Sequence, residues 1–515
     1  MNYSYSLQVV CSINQILTHL ENTESSVLAL RIKCFVDERI KEALNKTNTK
    51  TTWETTTSEW EYITTLKGIV HTLENNKPCD IPNILISLRE KITEDMPPVK
   101  IAFFTQEYYV WPSFQSIWEY CQSQNDCETR LVYVYSNGAK KPLKDENYYR
   151  NIFEYRNNGY PLMEMTDFHL DRESPDIVFY MKPYYELRAC PPKFYVNEII
   201  KHTPYTVFIS YCLDVQGGNK LIRFFYGMPA FFHMWIIIAY SRYYESMMKQ
   251  YGYRNGENAV RLGHPKFDFT YRALVKREFQ RPEWAKKIKG RSVVLWNTHF
   301  SVEANGGVGT YFIWKDTIFG YFQNNKDIVL LWRPHPIFWQ TISQQPGFNS
   351  QEFSQFLDNL RASDNVIVDD TSDYRFAFSM SHALISDAAT FLVEYCGTGQ
   401  PVLYTPKETG EFIINEDYLK GIETATTREQ IIGFLDRVKK HDKTGAEKRQ
   451  TYFREQFGES DGKNGQRIYE HIIKAMIEDC QNRAIKLVSG KCDITRQVTM
   501  SVSDDYLEGS EGGSN

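Results

Sequence analysis

Residues 384–405 read LISDAATFLVEYCGTGQPVLYT, from Leu384 to Thr405. An apolar run of strand length ends at Ser386–Asp387. A helix then opens at Ala388, Ala389 and Thr390, and Gly397 and Gly399 stop it. Pro401 leads into a second apolar run, so the stretch predicts a strand, a helix and a strand. The first turn of such a helix offers unpaired N–H groups and the positive end of a dipole, which suits a phosphate. Glu394 lies one turn past Thr390, where both can face a cleft and the carboxylate can accept hydrogen bonds from a ribose. An ordinary βαβ unit shows the same turn, so its meaning depends on what neighbouring strands bring.

Outward from this unit, SVVLWNTH (292–299), DIVLLWRPHP (327–336), NVIVDD (365–370) and HALISD (382–387) have the same texture. An earlier series consists of VKIAFFTQ (99–106), ETRLVYVYS (128–136), DIVFYMKP (176–183) and YTVFISYC (205–212). Short, continuously apolar strands alternating with helical stretches predict parallel sheets covered on both faces. Two series of similar size predict two doubly wound domains facing a cleft, with ligands at the carboxyl ends of the strands. The chain therefore divides into a helical region (1–95), a first α/β domain (96–275), a second α/β domain (276–480) and a disordered tail (481–515). In the first region Leu28, Ile32, Phe35 and Ile40, then Trp60, Ile63, Leu66 and Val70, recur near helical spacing.

The bulk composition fits this division. A chain of 515 residues is too long for one core. A formal charge of −5 argues against a general nucleic-acid binder. The ten cysteines form no CxxC pair and no zinc-like spacing with histidine, which reads as a reduced protein with buried thiols. No secretory signal is read, and the most apolar run, Phe231 to Ala239, is far short of a membrane span. A cytoplasmic protein is expected, with any membrane contact peripheral.

In LLWRPHP, Leu330 to Pro336, a buried strand runs straight into Arg333 and His335, a pair able to clamp a diphosphate by charge-assisted hydrogen bonds. EANGGVGTYF, Glu303 to Phe312, places Gly306, Gly307 and Gly309 after a strand. It is either a phosphate-approaching loop or a flexible surface loop, and it lacks the P-loop signature. RPEWAKKIKGR (281–291) and RVKKHDKTGAEKR (437–449) are basic runs; they read as solvated helix faces, with contact to anionic lipid as the alternative.

Taken in order, His335–Pro336, Asp373–Tyr374, Ser386–Asp387–Ala388–Ala389–Thr390, Glu394 and Pro401 resemble the motif series of the CDP-glycerol glycerophosphotransferases, which build teichoic-acid-like polymers. LGHPKFD (262–268) is similar to that family's G-x-P-R-x-D element, and VVLWNTHF (293–300) to its VLYAPTFR-type strand. The ordering spans roughly residues 100–477 and is specific from Gly263 to Thr405. The resemblance implies a GT-B fold of two Rossmann-like domains, a CDP-alditol donor, no metal or further cofactor, and a glycan or lipid-linked acceptor at the inner face of the membrane. It implies His335, Ser386 and Thr390 as donor-phosphate contacts, with Arg333 and the helix start at Asp387, Ala388 and Ala389 also on the donor's phosphates, Glu394 as a nucleotide contact, and Asp373 in the same pocket. The N-terminal helices are a candidate oligomer contact.

Two departures stand out. Ala388 and Ala389 replace side chains of the family's SDYSS turn, leaving backbone N–H groups. The first domain has FISYCLDVQGG (208–218) where the family carries W-H-G-T-P, whose histidine is its base. Replacement bases are Asp214 in that region, Glu107 after the first strand, and His299, which suits phosphate contact better. His233 reads as a core histidine. Two alternatives stay open: a nucleotide-sugar glycosyltransferase of the same fold, and a nucleotide-binding scaffold without turnover.

Overall fold

The computed structural model describes residues 2–20, 64–65, 67–69, 71, 81–135, 144–183, 185, 190–213, 222–302, 307–371, 373–387, 389–407 and 416–488. Asp214, Gly306, Ala388 and the apolar positions from Leu28 to Ile63, with Leu66 and Val70, lie outside the described residues. The chain forms two compact units, residues 98–473 and residues 1–97 with 474–515.

The smaller unit is helical where described. Helices Tyr3–Leu20 and Ile81–Glu94 bury Ile13, Ile16, Leu85 and Ile92. The helix Asn464–Val488 runs into this unit from residue 474 on, passing residue 481, where a disordered tail had been expected to begin. Its Met476, Cys480 and Ala484 are buried, and the Cys480 thiol lies 3.9 Å from the Ser4 carbonyl.

The larger unit holds two parallel sheets. The first consists of β1 (Val99–Thr105), β2 (Cys127–Tyr133), β3 (Leu162–Glu164), β4 (Ile177–Tyr180), β5 (Tyr205–Phe208), β6 (Ile236–Ala239) and β7 (Ala259–Arg261). Their order is β3-β2-β1-β4-β5-β6-β7. The second consists of β8 (Ser292–Thr298), β9 (Ile328–Pro334), β10 (Val366–Val368), β11 (Ala383–Ser386), β12 (Val402–Tyr404) and β13 (Glu423–Thr424), in the order β10-β9-β8-β11-β12-β13. This is the expected pair of doubly wound domains. The central strands β1, β4, β8 and β9 are buried nearly throughout because helices cover both faces. In each sheet the winding reverses at the first strand, β1 or β8, and in open sheets of this kind ligands bind at that strand's carboxyl end.

Aromatic packing fixes the layers. Trp296 of β8 and Trp332 of β9 stack at 6.0 Å, and Tyr311 stacks on Trp332 at 5.6 Å, seating helix Tyr311–Asn324 on the sheet.

The LGHPKFD segment works as a joint. Asp268 of helix Pro265–Thr270 accepts from the Asn464 and Gly465 amides (2.8 and 2.7 Å), from Asn464 Nδ2 (2.6 Å) and from Ser116 Oγ (2.7 Å). It thereby ties the start of the C-terminal helix to helix Gln115–Gln122. Gly263 has a φ of +83°, and a Cβ there would stand 2.0 Å from Asn464 Oδ1.

Candidate active site

At the switch point of the second sheet, β8 ends in His299 and its neighbour β9 in His335. The two rings lie 5.9 Å apart, with the Phe300 ring 4.8 Å from His335. Each imidazole uses Nδ1 to accept a backbone amide two residues on: Ser301 N at 3.1 Å for His299, Ile337 N at 3.2 Å for His335. A neutral ring that accepts at Nδ1 carries its proton on Nε2. Burial holds both rings well below the ordinary histidine range, to about 4, aided by each one's cationic or histidine neighbour. The site thus offers two Nε2–H donors at adjacent strand tips.

Asp387, after β11, secures this arrangement from within. It is buried and accepts from the His299 amide at 2.7 Å, the Thr310 amide at 2.5 Å and Thr310 Oγ1 at 3.1 Å. Burial pushes its carboxyl up to about 6, with these donors opposing. It therefore braces the segment between β8 and the helix at Tyr311, a role different from the phosphate contact expected of it. Gly309 packs in the same segment, donating to the Ser301 carbonyl at 2.8 Å, and a Cβ there would stand 2.8 Å from that oxygen. Gly307 is buried.

Other expected contacts face inward. Arg333 pairs with Asp369 at 2.5 Å and donates to the Thr371 carbonyl at 2.8 Å; with its side chain only 5% exposed, the guanidinium is engaged inside the domain. Of the Arg–His pair, His335 alone remains at the tip. Ser386 is fully buried and donates to Asn297 Oδ1 at 3.2 Å, across the β8–β11 pairing that puts the two side by side. Asp373 is held by the Arg375 guanidinium at 2.6 Å. Thr390, in the first turn of helix Ala389–Cys396, is partly exposed.

Glu394 differs most from expectation. Its side chain is fully buried, bonded by the Tyr374 hydroxyl at 3.1 Å and facing Lys266 Nζ at 3.9 Å, while Oε1 has no hydrogen-bond partner. Burial raises its pKa, with Lys266 the main opposing influence. The helix turn that carries Glu394 faces helix Pro265–Thr270 instead of open space.

At the switch point of the first sheet, Glu107 follows β1 and Lys182 follows β4. They form an ion pair at 2.5 Å, with Lys182 Nζ also 5.2 Å from the Tyr211 ring. His264, the described histidine nearest the vacated W-H-G-T-P position, is fully buried and bonds the Ser210 carbonyl at 2.7 Å. Burial drives its pKa down to about 3, so it is a neutral strut. His233 is half-buried, its pKa lowered by burial.

Lys182, Lys266, Asp369 and Thr310 escaped the sequence reading. Only Lys266 left a signal, as the basic position of the G-x-P-R-like segment. The other three meet their partners through strand order alone.

A family model described as CDP-glycerol:poly(glycerophosphate) glycerophosphotransferase matches residues 233–474, from just before β6 through the whole second sheet. Among solved structures, a UDP-N-acetylglucosamine 2-epimerase is 11% identical with a TM-score of 0.50, covering 73% of this chain and 95% of its own. A putative UDP-N-acetylglucosamine 2-epimerase from Listeria monocytogenes is 11% identical with a TM-score of 0.50, covering 74% and 97%. The wall teichoic acid polymerase TagF is 14% identical with a TM-score of 0.45, covering 83% and 99%. At such identities the epimerases share the two-domain fold and no more. No curated protein sequence matches the chain.

Proposed function

We propose that this transferase moves glycerol phosphate, or a related alditol phosphate, from a CDP-activated donor to a cell-surface glycan or lipid-linked acceptor, a reading supported by the match of residues 233–474 to the CDP-glycerol glycerophosphotransferase family model. The observation that carries the reading is the pair of imidazoles just after β8 and β9, each with Nδ1 taken by a backbone amide, which leaves the proton on Nε2. Two such donors on neighbouring strands suit the oxygens of a diphosphate, and they gain charge as the anion offsets their burial. The partly exposed first turn at Thr390 supplies a helix amino end on the next strand over.

The reaction is displacement at the β-phosphorus. An acceptor hydroxyl loses its proton, its oxygen bonds to phosphorus, and the bond to the CMP oxygen breaks. The negative charge gathering on the leaving CMP is met by His299 and His335. Glu107 is the base we assign. It stands at the other sheet's switch point, where the ion pair with Lys182 holds its carboxylate in place. The acceptor is anchored to a membrane, which this chain meets from the cytoplasmic side; among the described residues no helix is long and apolar enough to cross it.

Calorimetric titration of the full chain with CMP, UMP and GMP tests the donor site. CMP is expected to bind tightest, and His335→Ala to weaken it about tenfold or more, the loss of one charge-assisted bond. Equal affinity for the three nucleotides would remove the cytidine assignment. A turnover screen with CDP-glycerol, CDP-ribitol and UDP- or GDP-sugars then distinguishes alditol-phosphate transfer from glycosyl transfer.

A further inference from the structure

The imidazoles after β8 and β9 differ in what holds Nδ1. Among the described residues, His335 Nδ1 has one partner, the Ile337 amide at 3.2 Å. An amide can only donate, so a proton arriving on that nitrogen would face another N–H and the bond would be lost. His299 Nδ1 has two partners, the Ser301 amide at 3.1 Å and, closer, the Ser301 hydroxyl at 2.7 Å. A hydroxyl carries one hydrogen and two lone pairs, so it can donate to the neutral ring or accept from the charged one.

The turn around Ser301 keeps that hydroxyl in reach. The Val308 amide donates to Oγ at 3.0 Å and the Gly309 amide to the Ser301 carbonyl at 2.8 Å. A Cβ on Gly309 would stand 2.8 Å from the Ser301 carbonyl and 3.2 Å from the His299 carbonyl, so a glycine lets the segment close on this turn. The Val308 bond takes one lone pair of the hydroxyl and leaves the other for Nδ1. Gly309, expected from the sequence either to approach a phosphate or to lie in a flexible loop, thus serves the serine.

The charged surroundings favour the same ring. Among the described residues, the ionisable group acting on His299 is His335, whereas His335 lies near Arg333, a cation paired with Asp369. Asp387, which follows β11, is occupied by the His299 and Thr310 amides and the Thr310 hydroxyl. Burial lowers both rings to about 4 and does not rank them.

We propose that Ser301 is the positioning residue that makes His299 the first of the two rings to become charged. With Nε2–H on a phosphate oxygen, a proton from solvent enters at Nδ1. The Ser301 hydroxyl turns its hydrogen away and its oxygen accepts Nδ1–H. His299 then meets the anion as a cation and gives up just the longer contact with the Ser301 amide, while His335 stays beside it as a neutral donor. The phosphate in this account rests on the donor-site reading above; the order of the two rings does not.

The test labels the histidines of the full chain with nitrogen-15 and follows their ring nitrogens by NMR from neutral pH downward until the chain unfolds. Signals missing from His299→Gln and His335→Gln assign the two rings. In the free chain His299 is expected to take its proton at the higher pH. Ser301→Ala is expected to abolish that lead, and Ser301→Thr, which keeps the hydroxyl, to retain it. Protonation of His335 first or of both together, neither ring charging before unfolding, or a lead that survives Ser301→Ala overturns the proposal. Calorimetric titration with CMP at pH 6, in buffers of different ionisation enthalpy, adds the ligand. Proton uptake is expected to persist in His335→Gln and to fall in Ser301→Ala, with affinity about tenfold lower. Uptake unchanged in Ser301→Ala would count against the serine. Failure of CMP to bind the wild-type chain would sink the donor-site reading, while the spectra of the free chain still decide the order of the rings.

Discussion

His299 and His335 share one device, a backbone amide fixed on Nδ1, and it determines how they respond to pH. Folded, each titrates near 4, against about 6.5 in an open chain. The unfolded chain therefore binds protons more readily between these values, and this contribution to stability is full above 6.5 and lost as pH falls toward 4. A diphosphate reverses the balance by favouring the charged rings. Binding of CDP at pH 6 is expected to take up protons, seen as a dependence of calorimetric heat on the buffer's ionisation enthalpy. Buffer-independent heats would mean that the rings do not meet the anion. Glu394 makes a different kind of claim. Removing one member of a buried charged pair costs about 3–5 kcal/mol, and with Lys266 Nζ as far as 3.9 Å the lower figure applies. Glu394→Gln is therefore expected to lower urea stability by about 3 kcal/mol, and adding Lys266→Met to restore part of it. A variant of unchanged stability but much weaker CMP binding would return Glu394 to the ribose.

Among the elements, helix Pro265–Thr270 bears the heaviest duty because one carboxylate in it satisfies four donors on three distant residues. Asp268 is nearly fully buried, and burial raises its pKa despite its bonds to Asn464, Gly465 and Ser116. Asp268→Ala takes the acceptor from two backbone amides, the Asn464 side-chain amide and the Ser116 hydroxyl, each left unpaired at about 1–3 kcal/mol. A loss of several kcal/mol is expected in denaturant, together with faster hydrogen exchange at the start of helix Asn464–Val488. Protection unchanged at Asn464 and Gly465 would show that the joint is held elsewhere. The sequence exposed this element as LGHPKFD, but not its task. Proline at the first helical turn and an acidic residue three places on mark a helix start. Nothing local says that the acid faces a segment 196 residues away. The long apolar strands were legible for the opposite reason: burial on both faces writes itself into consecutive residues. The short edge strands β3, β7 and β13, of two or three residues, carry no such run.

For the molecule as a whole, each sheet brings its own charged pair or histidine pair to its switch point, Glu107–Lys182 on one and His299–His335 on the other. In the reaction proposed above, catalysis draws on both, while nucleotide binding draws on the histidines alone. Glu107→Gln is accordingly expected to reduce kcat at least a hundredfold, in the range of general-base loss, with CMP affinity unchanged. A fall in CMP affinity of the same size would place Glu107 on the donor. By itself the sequence determined two parallel sheets, the residues at their strand tips and the resemblance to a transferase family, because hydrophobic runs and motif order are properties of the chain read in line. The tertiary structure decided which tip residues are available. Arg333, Ser386 and Glu394 look equally exposed as letters, yet Asp369, Asn297 and Lys266 absorb them, and those partners arrive from other strands and helices. The physical reason is that a polar group leaving water must find a partner, and which partner is near depends on strand order, which no local stretch encodes.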